Sequence, residues 1–192
     1  MGEFFSAAKG KAHIEKRQKM YQKGDYVVYG SNGPCLVMDV TRLHMPGCDR
    51  KRKYYVLRPV NSDKSTIYSP VDNDKVAMRE ILDRQSAEAI IDEIPDIEFL
   101  EVESEKFREE QYKEIIRNNN VRDCISMIKT LFVKRKKRLE QGRKFTTVDE
   151  KYLREAEAIV CSEFSIALGK DADAVDQLLR NRFKLVKEKP KA

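Results

Sequence analysis

Five consecutive cations, Lys134, Arg135, Lys136, Lys137 and Arg138, with Arg143 and Lys144 just beyond, are the densest chemical signal in the sequence. Such a run can neutralise several phosphates and release their condensed counterions, which makes affinity steeply salt-dependent. Cations in the last turns of a helix also favour the negative end of its dipole. Five residues wrap more than one turn, so they cannot all face one partner. The charge exceeds what dipole compensation needs, which favours a nucleic-acid contact.

Other reactive side chains do not assemble into a known chemistry. His44 and Cys48 stand four apart on an expected loop, but no second pair completes a tetrahedral metal site, and the other histidine is His13. Cys35, Cys48, Cys124 and Cys161 are scattered with no CxxC pair, as expected for reduced thiols of a cytoplasmic protein. No phosphate-cradling glycine loop is present, and no carboxylate stands in a catalytic context. The reading is therefore of a binding protein, with no enzyme activity, metal, cofactor or small-molecule substrate. No apolar run approaches the roughly 18 residues of a membrane span, so no membrane partner is expected. The N-terminus lacks the apolar stretch of a signal peptide.

Two further groups invite a partner. Phe107 lies in a polar helix start with Arg108 beside it and Lys113 beyond. Its ring could insert between bases or pack against Tyr112 and Ile115, and the nearby carboxylates favour packing. Arg42, Tyr55 and Tyr68 fall on expected outer strands, and exposed aromatic and arginine side chains are enriched at protein interfaces. An open strand edge could also accept a strand from a partner.

The elements that carry these residues follow from charge and periodicity. Residues 71–120 hold seven positive and fifteen negative side chains, whereas residues 121–145 hold nine positive and two negative. Such segregation suggests a polarised surface rather than uniform solubilising charge. Residues 1–19 show no clean period and are set apart as an extension. Residues 20–72 read as short strands separated by Asn32-Gly33, Pro46-Gly47 and Asn61-Ser62-Asp63, the pattern of a small antiparallel barrel. Residues 75–82 fit either a last strand or a short helix. Residues 73–183 read as a helical domain, and 184–192 as a charged tail. Ser86 and Ser104 are candidate N-caps, and Thr147 with Glu150 a capping box. Val121, Cys124, Ile125, Ile128, Leu131 and Phe132 form one apolar helix face. Tyr152, Ala156, Ile159, Val160 and Phe164 form another, with Gly169 as its stop. The fold class is α+β.

Residues 21–37 read YQKGDYVVYGSNGPCLV. This resembles the opening strand pair of CarD-like proteins, hydrophobic-x-x-Gly-Asp-x-Val-Val-Tyr and then a glycine-containing turn. A Tyr-Tyr-Val-Leu strand at 54–57, a strand ending in proline at 65–70 and a helical second half extend the likeness over residues 20–183. The resemblance implies a Tudor-like (SH3-like) barrel that docks on the β subunit of bacterial RNA polymerase. It also implies a helical domain that contacts promoter DNA at the upstream edge of the bubble and stabilises the open complex. Members of the family insert a tryptophan into the minor groove there; this chain has no Trp, and Phe107 stands next to that position. Glu109 and Glu110 replace the arginines that follow it. The alternative is an adaptor that binds polymerase while its helices contact another protein and no DNA.

Overall fold

Alternating β-branched and aromatic residues build the first half of the chain, and 3.6-residue periodicity builds the second. In a computed structural model, residues 20–62, 64–102 and 104–184 are described. The segment 1–19 with His13, residue Asp63 of the expected turn, and the tail from 185 onward lie outside the described residues.

Strands β1 (Tyr26–Tyr29), β2 (Pro34–Arg42), β3 (Lys53–Pro59), β4 (Ile67–Pro70) and β5 (Met78–Glu80) form one antiparallel sheet in the order β4-β3-β2-β1-β5. The α+β class and the antiparallel strands of the expected small barrel are present, and β4 and β5 stand at the two ends of the order without pairing to each other. The sheet also runs past the expected boundary at residue 72, because β5 pairs with β1. Val27, Tyr29, Cys35, Val37, Tyr55 and Leu57 fill its core. Each fully buried aliphatic or aromatic side chain contributes about 1.5–3 kcal/mol. Tyr55, expected among exposed residues, is only 2% exposed. Alternation along β3 puts it on the core face with Leu57, and its hydroxyl accepts the Tyr21 amide at 3.2 Å.

Five helices follow: α1 (Arg84–Glu93), α2 (Arg108–Asn118), α3 (Val121–Glu140), α4 (Thr147–Leu168) and α5 (Ala172–Lys184). Their starts differ by small steps from the sequence reading. Asp83 rather than Ser86 caps α1, accepting the Ser86 amide at 2.7 Å. Ser104 accepts the Lys106 amide in a turn that precedes α2 rather than capping the helix. Thr146 caps α4 through the Asp149 amide at 3.2 Å, so the expected box of Thr147 and Glu150 does not form. The apolar face of α4 is buried as expected, and Gly169 ends it at φ 63. On α3 the expected face is buried except Phe132, which is 45% exposed.

The triplet Asn118-Asn119-Asn120, read from sequence as a break, joins α2 to α3. Asn119 takes the left-handed conformation (φ 51) as the C-cap of α2, and Asn120 caps α3 by accepting the Arg122 amide at 2.9 Å. Asn is among the few side chains that adopt that backbone at low cost. Lys129 is buried on α3, and its ammonium donates to the carbonyls of Ile94 (2.9 Å), Pro95 (3.0 Å) and Ile97. It thereby satisfies the carbonyls of the C-cap and of the turn that follows α1.

The sheet and the helices meet around the turn Gly30–Asn32. The Asn119 side-chain amide donates to the Gly30 carbonyl at 2.8 Å. A Cβ on Gly33 (φ 68) would stand 3.6 Å from Ile159 of α4, so the backbone lies directly against that helix. Arg79 of β5 completes the junction. Its guanidinium donates to both Glu163 oxygens (2.6 and 2.8 Å) and to the Asn119 carbonyl (2.9 Å). Glu163 also accepts the Leu82 amide at 3.2 Å.

Burial pushes the Cys35 and Cys124 thiols from 9.0 up to about 12. Above pH 9 the unfolded chain releases both protons while the folded chain keeps them. Their contribution is therefore complete below pH 9 and is lost as pH climbs toward 12, by about 1.4 kcal/mol per pH unit for each thiol. Urea midpoints measured from pH 8 to 11 are expected to fall more steeply in the parent than in a Cys35→Ala, Cys124→Ala variant. Parallel curves would refute the assignment.

Candidate functional site

The sheet offers its β4 edge and two of the three side chains singled out on it. β4 hydrogen-bonds to β3 on one side and stands at the end of the strand order, so its other edge is open. Pro70 within it has no amide to leave unpaired, as suits an edge. Tyr68, opposite Val56, is 41% exposed. Arg42 is also exposed, but it pairs with Lys53 at the far end of β2. Its register puts it on the face of Val40 and Tyr55, whereas Tyr68 leaves the opposite face. Arg42, Tyr55 and Tyr68 therefore do not form one patch.

Phe107 overturns its favoured packing reading. The ring is 62% exposed, with the Lys106 ammonium 5.5 Å from its centroid. It precedes α2, whose helical stretch begins only at Arg108, so no turn of helix directs the ring toward Tyr112. Its surroundings remain unfavourable to phosphate, because Glu110 and Glu114 line the same open depression. Lys113 is held by Glu110 at 2.7 Å and Glu109 at 3.6 Å.

The basic run divides into two sets. Lys134 lies 2.9 Å from Glu105 and 3.2 Å from Asp149, and Arg108 donates to Asp149 at 3.2 Å. Asp149 is fully buried at the start of α4. Burial alone would raise its pKa, but Thr146, Lys134 and Arg108 together hold it below the ordinary carboxylate range. Lys134 and Arg108 are thus largely committed to an internal counterion. The other set gathers at the far end of α3. The Arg138 guanidinium donates to the Lys144 carbonyl at 2.9 Å, and the Arg143 amide to the Arg138 carbonyl at 2.8 Å. These bonds fold the following turn back on the helix, so Arg143 and Lys144 stand beside Arg138. Arg135 lies over the Phe145 ring at 5.9 Å, and Lys136 and Lys137 complete the cluster.

Three buried ionic residues escaped the sequence reading. Glu163 falls within the stripe of Ile159, Val160 and Phe164, and Lys129 adjoins Ile128, so helical position could have flagged both. Asp149 lies three residues after Thr146, a capping spacing displaced by one from the pair chosen. Among the described residues no cluster of metal-ligating side chains occurs, and no helix is long and apolar enough to cross a membrane.

No curated protein matches the chain. Residues 21–82 match the family model of the CarD-like/TRCF RID domain, a family that interacts with RNA polymerase and mediates protein contacts. The match ends two residues beyond β5, where the sheet itself ends. The sheet-forming part of this chain, residues 21–82, therefore belongs to the CarD-like/TRCF RID domain family.

Proposed function

We propose that the chain is a bacterial, cytoplasmic transcription regulator whose sheet docks on the β subunit of RNA polymerase in the manner of a Tudor-like module. Its helical half contacts promoter DNA at the upstream edge of the bubble. The observation that carries the first part is the RID match over a sheet with an open β4 edge. An open edge can pair with a partner strand through main-chain hydrogen bonds, while alternating side chains such as Tyr68 give specificity. The basic end of α3 supports the second part. Anchoring raises the effective concentration of that cluster at DNA. It shifts the closed-to-open equilibrium only as far as it binds the open form better.

The acidic 71–120 segment favours a second reading, an adaptor whose helices meet another protein. Pull-down of RNA polymerase by the full chain tests the anchoring step. Tyr68→Ala is expected to weaken capture about tenfold, within the range of an aromatic hot spot. Polymerase that ignores the parent chain at low salt would end the proposal. Capture of polymerase without measurable fork-DNA binding would favour the adaptor.

A further inference from the structure

The apolar seam of α3 outruns the core it belongs to. Val121, Ile125, Ile128, Phe132, Arg135 and Leu139 succeed one another at alternating steps of four and three, which keeps them on one helix face. The first three are buried, whereas Phe132 is 45% and Leu139 60% exposed. The helix thus projects beyond the bundle with its inward stripe bare. Arg135 interrupts that bare stretch and lies over Phe145. Arg138, Arg143 and Lys144 flank it, and Glu140 is the one carboxylate in residues 134–144.

An exposed ring followed along the helix by cations matches a ligand that carries flat apolar faces and regularly spaced anionic groups. Duplex DNA offers the phosphates but keeps its base faces stacked inside, so Phe132 has nothing to meet there. An unpaired strand offers both.

We propose that this projecting end of α3 is a single-strand-selective nucleic-acid site, in which an unpaired base stacks on Phe132 while Arg135, Arg138 and Arg143 hold the backbone. The inference rests on the DNA-binding reading above and assigns the preference for unpaired DNA to Phe132, not to Phe107. Around Phe107 the cations Lys113 and Arg117 are paired with Glu110 (2.7 Å) and Glu114 (3.8 Å), which leaves less positive charge for a backbone there. Leu139 supplies apolar contact for the neighbouring base or sugar.

The test measures anisotropy of a short labelled single strand and of the same sequence as duplex, using the full chain. The parent is expected to prefer the single strand, and Phe132→Ala to weaken it about tenfold while changing duplex affinity less than about twofold. Phe107→Ala should leave the single strand unchanged. Because the chain has no native tryptophan, Phe132→Trp supplies a unique reporter. Its emission should quench with the single strand and not with the duplex. Equal affinity for both forms, with Phe132→Ala silent, overturns the stacking site while leaving DNA binding intact. Binding of neither form overturns the DNA reading and this site with it. Equal emission changes on adding poly-glutamate would point to an acidic protein partner and also overturn the proposal.

Discussion

Replacing Arg79 with methionine is expected to lower folding stability by about 3 kcal/mol, the low end of the cost of breaking a buried ion pair. Glu163 has no exposed side-chain surface and would keep only the Leu82 amide as a donor. The expected cost stays low because Arg79 itself is 36% exposed, so its guanidinium is already partly solvated. The same substitution also releases the Asn119 carbonyl, which caps the junction between sheet and helices. Hydrogen exchange is therefore expected to rise at residues 30–33 and 119 together, instead of only around the mutated strand. Urea titration gives the stability change. Adding Glu163→Met to Arg79→Met should recover part of it, since replacing both charges by apolar groups is often neutral. A loss below about 1 kcal/mol, in the range of surface pairs, would show that the junction adds little.

Neutralising Arg135, Arg138, Arg143 and Lys144 to glutamine is expected to reduce the slope of log affinity against log salt by about 3–4 for duplex DNA, near 0.9 for each phosphate no longer neutralised. Affinity at physiological salt should fall at least about a hundredfold. Lys134→Gln alone should change the slope by much less than Arg143→Gln. Lys134 shares Asp149 and Glu105, whereas Arg143 is exposed at the turn. Asp149→Asn should shift affinity modestly the other way, because it leaves Lys134 and Arg108 sharing only Glu105, although the fold loses the buried counterion of both. Salt titrations of one labelled duplex check all of these. An unchanged slope in the fourfold variant would place any DNA contact elsewhere.

Both predictions depend on residues whose importance was unevenly legible. The tract from Lys134 to Arg138 was visible as charge, yet its division was not. Only the arrival of Asp149 from α4 makes Lys134 a structural cation and leaves Arg138 and Arg143 outward. Phe107 and Phe132 show the same limit. Local composition suggested packing for Phe107, and periodicity assigned Phe132 to the core, but both rings are exposed.

Local physics in the sequence did determine the strands around Val27 and Leu57, the succession of helices and the left-handed stop at Gly169. Side-chain branching, spacing and backbone freedom act within a few residues, so they can be read in order. The RID motif was legible for the same reason, being a contiguous strand-turn-strand. Tertiary structure alone decided that the sheet stays open at β4, that Tyr55 turns inward, and that Arg79 meets Glu163 across 84 positions. Periodicity names the face a residue occupies but not what covers it. That depends on where a distant element ends, and the bare last turns of α3 follow from it.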